Sequence, residues 1–335
     1  MHTDFSTYRD LIDKRLSEFL KEETKRSRYS AAIGKYPYSL FDPLNYIMSC
    51  GGKRIRPILV LLSSEAFGGT AESALDAAIA VEILHNFTLV HDDIMDNADT
   101  RRGKITIHKK WNVNAAILVG DELIGLSYRS LLRSKTDKIA GVIKAFTDGV
   151  IEVCEGQALD KEFETGVDVT PDDYIIMIRK KTAELLRTSS VMGAIIGNAD
   201  EAGIRSISSY SENIGLAFQI LDDLLDVIAD ENEFGKKIGG DIIEKKKTYL
   251  YLKALEILQG KDKDDFMYLY NSDSPNGDKI RKIISIYNEV CVIESARNEI
   301  KRYTGIANSS LECVRSIEAK RNLELFSRML LNRNF

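Results

Sequence analysis

Residues 170–198 read TPDDYIIMIRKKTAELLRTSSVMGAIIGN, and their apolar residues recur at intervals of three and four positions. This period is that of one buried face of an α-helix. Thr170 is a favourable N-cap, Pro171 suits the first helical position, and acids occupy the first turn. Gly197 and Asn198 then supply a stop signal. The stretch therefore predicts a long helix with defined ends.

The same period continues on both sides of this stretch. Residues 71–96 (AESALDAAIAVEILHNFTLVHDDIMD) and 211–228 (SENIGLAFQILDDLLDVI) each predict another long helix. The chain of 335 residues contains only five prolines, and its polar, glycine-containing stretches predict surface loops rather than linkers between domains. We therefore predict an all-α fold, a large helical bundle that forms a single domain over residues 1–335.

The composition narrows the classes of protein. Four cysteines occur without CxxC spacing, which argues against a disulfide framework or a thiolate zinc site and predicts a reducing, cytoplasmic location. A net charge of −5 argues against a general nucleic-acid binder. The N-terminus has no apolar signal core, and no stretch approaches the uninterrupted hydrophobic length of a bilayer span. We predict no transmembrane segment and no nucleic-acid partner.

Two clusters of aspartates lie in the apolar helical runs, at HDDIMD and LDDLLD. Positions i and i+4 of a helix lie about 40° apart and about 5.4 Å along the axis, so Asp92 and Asp96 present two carboxylates to one point. Asp222 and Asp226 repeat this spacing. A single DDxxD is more often a solvated helix face, but charges embedded in apolar sequence need a compensating partner. Two embedded copies therefore predict magnesium sites shared with substrate phosphates.

Basic residues occur in compact groups beside glycines and beside the acidic clusters. The groups are GGKRIRP (51–57), TRRG (100–103), KKT (180–182), GKK (235–237) and EKKKT (244–248). Arginine matches phosphate oxygens in a bidentate manner, and lysine adds a mobile point charge. Any one group could be a solvated charge run, and for EKKKT alone that interpretation is favoured. Together they indicate diphosphate recognition.

Nearly the whole chain resembles the trans-prenyl diphosphate synthases. The motifs that carry the resemblance are, in order, GGKRIRP, HNFTLVHDDIMDNADTRRG, GDELIG, GQALD, KKTAELL, FQILDDLLD and GKKIGGDIIEKKKT. HNFTLVHDDIMD is most similar to archaeal-type geranylgeranyl diphosphate synthases. The resemblance implies the isoprenoid synthase fold, a bundle around a deep central cavity, and a homodimer. It also implies three magnesium ions per active site, with isopentenyl diphosphate and an allylic diphosphate as substrates.

The resemblance also implies roles for individual residues. Asp92 and Asp96 would bridge two metal ions and Asp222 would hold the third, with Asp93 and Asp226 in support. The allylic diphosphate contacts would be Arg101, Lys181, Thr182, Gln219, Lys236 and Lys246. The isopentenyl diphosphate contacts would be Lys53, Arg56, His85 and Arg102.

The family's chemistry fits the residues present. Magnesium and basic side chains would stabilise the charge on a departing diphosphate, and the double bond of isopentenyl diphosphate would attack the allylic cation. No nucleophile–base pair is evident in the sequence, and in this family the released diphosphate takes the final proton. His91 and His108 are therefore assigned to packing or to hydrogen bonding behind the site, without a catalytic role.

The most detailed prediction concerns the length of the product. By resemblance, Phe87 and Thr88 are candidates for the floor that stops the growing chain, and Leu84 could move it. Helix geometry alone places Phe87 about 140° from Asp92, as an ordinary core residue. One aromatic rather than two adjacent ones favours a C20 product, with C15 or a longer chain still open.

Two departures from the family pattern concern loops rather than chemistry. Ile105 stands where proline is common after RRG, and Asn112 stands where glycine is usual after Trp111. Other classes remain as alternatives. A terpene cyclase normally carries a different second metal motif, a squalene- or phytoene-type synthase needs no isopentenyl diphosphate, and a non-catalytic subunit of a heteromeric prenyl synthase tends to lose the aspartates that are intact here.

Overall fold

The computed structural model describes residues 5–27, 38–166, 168–228, 238–273 and 276–331, and these ranges are almost entirely helical. The first ten helices are α1 Ser6–Ser27, α2 Tyr38–Met48, α3 Ile55–Ala66, α4 Ala71–Met95, α5 Ile107–Lys110, α6 Val113–Leu131, α7 Ile139–Thr165, α8 Pro171–Ile178, α9 Glu184–Ile196 and α10 Glu201–Ile228. The others are α11 Gly240–Ile243, α12 Tyr249–Ile257, α13 Gly260–Asn271, α14 Asn276–Glu289, α15 Val292–Ser310 and α16 Ile317–Leu331. The predicted all-α class is confirmed.

The predicted helix over residues 170–198 is confirmed at both ends but not in its middle. Thr170 accepts a hydrogen bond from the Asp173 amide at 3.2 Å, and the Asp173 carboxylate accepts one from the Thr170 amide at 3.0 Å, which forms a capping box. The last helical residue is Ile196, and Asn198 has a φ of 67°. Between α8 and α9 the chain forms a π turn, Arg179–Ala183. The sequence did not predict it, because a π turn is a rare single-turn feature and the apolar period on each side of it is that of an ordinary α-helix.

The predicted loop after the first acidic cluster contains a small hairpin. Strands β1 (Thr100–Arg101) and β2 (Lys104–Ile105) are antiparallel, with Thr100 opposite Ile105. Arg102 and Gly103 between them have φ values of 53° and 73°, as a two-residue type I′ turn requires. Ile105 therefore fits as a strand residue where proline is common in the family.

The other departure from the family pattern also has a local explanation. The side chain of Asn112 accepts a hydrogen bond from the Ala115 amide at 2.8 Å and so caps the N-terminus of α6. Asparagine at this position accepts an N-cap hydrogen bond through its side chain, which glycine cannot do.

The chain divides into two compact units, each assembled from three segments. The first comprises Met1–Thr147, Thr188–Arg205 and Val314–Leu323, and the second comprises Asp148–Arg187, Ser206–Cys313 and Glu324–Phe335. In the first unit α3 and α4 are largely buried. In the second, a core of apolar and tyrosine side chains includes Tyr251 and Tyr270, whose ring centroids are 4.2 Å apart. The single domain over 1–335 stays a prediction.

Helix α4 forms the core of the first unit and also carries the first acidic cluster. By length and composition it could cross a membrane, which corrects the statement that no stretch approaches such a length. However, 67% of its most apolar stretch is buried inside the protein, as in the core helix of a globular domain. The apolar character of α4 is thus accounted for by packing.

Candidate active site

The first acidic cluster occupies the last turn of α4 and its C-cap. The amide of Asn97 bonds the Ile94 carbonyl at 3.2 Å and the amide of Ala98 bonds the Asp93 carbonyl at 3.0 Å, with Asn97 in the left-handed region. This is a Schellman motif, which ends the helix. Carboxylates at a helix C-terminus face the negative end of the helix dipole. The position of Asp92 and Asp96 therefore increases their need for nearby cations.

One carboxylate of this cluster already has a cation. Asp93 is buried, and its Oδ1 accepts a hydrogen bond from Arg101 Nε at 2.7 Å, which the hairpin brings back onto the helix. Burial raises the pKa of Asp93, and the charge of Arg101 opposes that rise. Asp92 is half-buried and Asp96 is exposed. Asp93 thus orients Arg101, while the predicted metal ligands Asp92 and Asp96 lie closer to solvent.

Three of the four predicted isopentenyl diphosphate contacts lie together in the first unit. Arg56 Nη1 is 3.2 Å from His85 Nε2, and a Cβ placed on Gly52 would lie 3.1 Å from Arg102 Nη1. Arg102 also donates a hydrogen bond to the Gly51 carbonyl. Lys53 follows in the same loop and is exposed. Arg56, His85 and Arg102 are therefore neighbours, and their binding of isopentenyl diphosphate stays a prediction.

The electrostatics of this group suit an anionic ligand. Burial, followed by the charges of Arg56 and Arg102, holds the pKa of His85 well below its usual value. His85 is therefore neutral at pH 7, and because a guanidinium can only donate, its Nε2 accepts and its Nδ1 carries the proton. Burial lowers the pKa of Arg56 to about 10, and its Nε has no hydrogen-bond partner among the described residues. A diphosphate would supply the missing acceptors.

Arg54, which the motif GGKRIRP includes without a separate role, fixes the loop that carries these cations. It is buried in a left-handed conformation and donates to Asp13 at 2.7 Å and to Glu82 at 2.5 Å. These two carboxylates belong to α1 and α4, so Arg54 ties the loop to both helices. The distance of Arg54 from its partners in sequence explains why no local pattern revealed them.

The candidates for product length lie on the preceding turns of α4. Leu84 and Phe87 are buried, and the hydroxyl of Thr88 donates to the His85 carbonyl at 2.8 Å. The Phe87 ring packs edge-on against the imidazole of His91, with centroids 4.7 Å apart. Of the two roles expected for His91, packing or hydrogen bonding, this contact is packing. His108 is also buried, and neither of its ring nitrogens has a hydrogen-bond partner in the described part of the chain.

The second acidic cluster, in the other unit, lies in the last two turns of α10. The Asp226 oxygens accept hydrogen bonds from the amides of Gly240 at 3.1 Å and Asp241 at 3.0 Å. Asp226 therefore caps the N-terminus of α11, a structural role that the sequence did not reveal. Asp222 and Asp226 are both half-buried. Like the first cluster, they lie at the negative end of a helix dipole.

A hydrogen-bond chain runs through the middle of this cluster. Thr182 Oγ1 donates to Gln219 Oε1 at 2.9 Å, and Gln219 Nε2 donates to Asp223 Oδ1 at 3.0 Å. Buried Asp223 also accepts from the Tyr174 hydroxyl and from the Tyr249 amide at 3.2 Å. Burial raises the pKa of Asp223. Thr182 and Gln219, both predicted diphosphate contacts, are thus held by Asp223 and Tyr174, which sequence reasoning missed.

The remaining predicted contacts in this unit are lysines with acidic neighbours. Lys181 lies in the π turn, and its Nζ is 2.6 Å from Asp160 Oδ2, in the GQALD motif. Lys246 is half-exposed, with its Nζ 2.7 Å from Glu244. Lys236 lies outside the described residues. The motif GQALD was recognised from the sequence, but Asp160 was given no role.

Both acidic clusters have the donor chemistry that magnesium requires. Each offers carboxylate oxygens at i and i+4, which are hard ligands. No three His, Cys, Asp or Glu side chains form a preformed cage among the residues that the structure describes. Magnesium characteristically binds one or two carboxylates together with waters and substrate phosphates, so the residues present fit this ion. The meeting of the two clusters on one substrate stays a prediction.

Comparison with known proteins identifies related sequences. Residues 37–287 match the family model of polyprenyl synthetase. A short chain isoprenyl diphosphate synthase of Methanothermobacter thermautotrophicus is 35% identical over 97% of this chain and 96% of its own length. A geranylgeranyl diphosphate synthase of Sulfolobus acidocaldarius is 38% identical over 83% of this chain and 85% of its own. The similarity extends over most of both sequences.

Solved structures give the same result for the fold. A geranylgeranyl pyrophosphate synthetase from Pyrococcus horikoshii has a TM-score of 0.89 at 37% identity, covering 98% of each chain. A geranylgeranyl pyrophosphate synthase from Corynebacterium glutamicum, complexed with isoprenyl diphosphate and magnesium, has a TM-score of 0.88 at 26% identity, covering 98% of this chain and 99% of its own. The prediction of the isoprenoid synthase fold is confirmed.

Proposed function

Because the chain belongs to the polyprenyl synthetase family and is a trans-prenyltransferase, we propose that it condenses isopentenyl diphosphate with an allylic diphosphate to form geranylgeranyl diphosphate. The observation that carries this proposal is that each unit has an acidic helix end and a cation held by a nearby carboxylate: Arg101 by Asp93 in one unit, and Lys181 by Asp160 of α7 in the other. The names of several relatives support the C20 product.

The chain's own residues would act as electrostatic and positioning groups. Arg101, Lys181 and Lys246 would stabilise the charge that builds on the departing allylic diphosphate, with Lys236 in the same role. Thr182 and Gln219 would orient this diphosphate by hydrogen bonds. The allylic cation would then be attacked by the double bond of isopentenyl diphosphate, and the released diphosphate would take the final proton.

The second substrate would be held by the cationic group of the first unit. Lys53, Arg56 and Arg102 would bind its diphosphate, and neutral His85 would donate through Nδ1–H or fix the Arg56 fork. A neutral imidazole adds a hydrogen-bonding group without adding charge. This assignment rests on the arrangement of Arg56, His85 and Arg102 and on the family resemblance.

Divalent metal is used in this family, and we infer three Mg2+ ions per active site for this chain. Asp92, Asp96, Asp222 and Asp226 would hold them, and bound Mg2+ would supply charge neutralisation to the leaving diphosphate. Asp226 would bind metal in addition to capping the N-terminus of α11. Asp93 would act by holding Arg101 in place.

Product length would be set on α4. Phe87, with Thr88 and Leu84, would form the floor that stops the chain at C20. Phe87→Ala should lengthen the product while sparing turnover. An unchanged product spectrum would remove Phe87 from the floor.

We also propose a homodimer located in the cytoplasm. The α6 surface carries exposed large apolar side chains: Val113 is 46% exposed, Ile117 42% and Leu118 56%. Exposed apolar patches of this kind favour burial against a partner, here a second copy of the chain. The absence of CxxC spacing supports a reducing compartment.

The activity test supplies the purified chain with Mg2+, labelled isopentenyl diphosphate and dimethylallyl, geranyl or farnesyl diphosphate in separate reactions. We expect C20 product from these primers and no reaction with geranylgeranyl diphosphate alone, which a cyclase would consume. Asp92→Asn should lower turnover by orders of magnitude, because the interaction it removes acts mainly in the transition state. Asp99→Asn, at an exposed acid outside the helix, is the matched control. Equal turnover of the two variants would contradict the metal assignment.

A further inference from the structure

The imidazole of His91 occupies the space that a side chain at Gly120 would need. His91 lies on α4 and Gly120 on α6. A Cβ placed on Gly120 would lie 2.0 Å from His91 Nε2, 2.4 Å from Cδ2 and 3.0 Å from Cε1. Distances this short are incompatible with any side chain while the ring stays where it is. Glycine at position 120 and histidine at position 91 are therefore spatially interdependent.

The same imidazole supports the aromatic ring of Phe87. The two rings meet edge to face, with centroids 4.7 Å apart and an interplanar angle of 64°. They are four positions apart, so both project from the same side of α4. Phe87 is buried, and His91 lies between it and the Gly120 backbone. A displacement of His91 would therefore be passed to Phe87.

Packing, rather than a hydrogen bond at its outer nitrogen, keeps the His91 ring in this position. Its Nε2 is buried and has no hydrogen-bond partner among the described residues. Because packing positions the ring and no hydrogen bond anchors this atom, a larger or smaller neighbouring side chain should shift the ring. Gly125 on the same helix differs: no atom lies within 4 Å of a Cβ placed there. The constraint at position 120 is thus specific to its contact with His91.

We propose that the contact between His91 and Gly120 determines product length by fixing how far Phe87 stands from α6. This inference rests on the proposed role of Phe87 as the floor of the product cavity and extends it to two further residues. His91 acts as a positioning residue, and Gly120 is the position whose size limits it. This contact makes the length of the product depend on Gly120, a residue of α6 and not of the helix that carries the first acidic cluster.

The test uses opposite changes of volume at the two positions. Gly120→Ala adds a methyl group that displaces the imidazole towards Phe87, and we expect the product distribution to move towards C15. His91→Ala removes the support of Phe87, and we expect a move towards C25. In the double variant the methyl group occupies the vacated space, and the distribution should return towards that of the wild type. Gly125→Ala is the matched control and should leave the distribution unchanged.

Products are measured as C15:C20:C25 ratios with labelled isopentenyl diphosphate, together with the Mg2+ dependence of turnover and the melting temperature. A general loss of structure near Asp92 would lower turnover without moving the ratios in opposite directions. If Gly120→Ala fails to fold, the milder variant His91→Asn replaces it as the test. We expect His91→Asn to lengthen the product, and an unchanged product would contradict the inference.

Wild-type C20 synthesis with unchanged ratios in Gly120→Ala and in the His91 variants overturns the inference alone. A wild-type chain that forms no elongated product overturns the proposed function and this inference with it. Changed ratios in the His91 variants with an unchanged Phe87→Ala spectrum would overturn the route through Phe87.

Discussion

At the scale of single residues, buried Asp223 organises the second acidic cluster. It accepts hydrogen bonds from Tyr174, Gln219 and the Tyr249 amide, and Gln219 in turn holds Thr182. Tyr174→Phe removes one donor to a buried acceptor, which should lower the free energy of unfolding by about 1–3 kcal/mol. It should also raise KM for the allylic diphosphate, because Gln219 and Thr182 lose part of their alignment. Chemical denaturation and initial-rate kinetics measure the two effects.

Tyr210→Phe is the matched control for this prediction. The Tyr210 hydroxyl is buried and lies 2.8 Å from the neutral hydroxyl of Ser327. Its loss should reduce stability without changing KM for the allylic substrate. An equal KM in the two variants would show that Asp223 does not position the substrate contacts.

The sequence was informative about residues whose partners are close in the chain. Asp92 and Asp96, or Asp222 and Asp226, are related by helix geometry and could be read directly. Asp223 and Arg54 could not be assigned roles, because most of their partners are distant in sequence. Tyr249 and Tyr174 are 26 and 49 positions from Asp223, and Glu82 and Asp13 are 28 and 41 positions from Arg54. Only Gln219, four positions before Asp223, is a local partner. Such pairings depend on tertiary packing, which no local period contains.

At the scale of elements, the π turn at Arg179–Ala183 is held against the backbone of α7. A Cβ placed on Gly156 would lie 2.3 Å from the Lys181 amide nitrogen and 2.7 Å from its Cα. Gly156→Ala should therefore shift the π turn and the Lys181 side chain, with a loss of about 1–3 kcal/mol of stability from overpacking and a lower kcat. Thermal unfolding and steady-state kinetics measure the effect.

Gly141→Ala on the same helix is the control, because the nearest atom to its Cβ would be Ile195 Cγ2 at 3.7 Å. That variant should be neutral or more stable, since alanine favours a helix. If Gly156→Ala were equally neutral, the close packing of the π turn would have no energetic consequence.

The long helices were predictable because the apolar period and the capping residues indicate the same helix ends, as at Thr170 and Asn198. The hairpin at residues 100–105 was not predicted. Its strands are only two residues long, and one of its two left-handed positions is Arg102 rather than glycine. A strand this short gives no alternating pattern to detect.

At the scale of the whole molecule, the homodimer is the prediction that surface chemistry supports. Ile117→Asp places a charge on the exposed apolar surface of α6 and should shift the protein from dimer to monomer in sedimentation experiments. Tyr268→Asp, at an exposed residue of α13, is the control and should leave the sedimentation coefficient unchanged. A wild-type chain that sediments as a monomer would contradict the homodimer directly.

The hairpin turn has a consequence for how this region can change during evolution. Adjacent arginines reach different targets: Arg101 contacts Asp93, and Arg102 contacts the Gly51 carbonyl. Inserting or deleting one residue ahead of them would exchange their directions and misplace both guanidinium groups at once. We expect natural relatives to conserve the number of residues between Asp93 and Arg102 strictly, while the side chain at Ile105 drifts. In this loop, selection should therefore act on the number of residues more strongly than on the side chain at position 105.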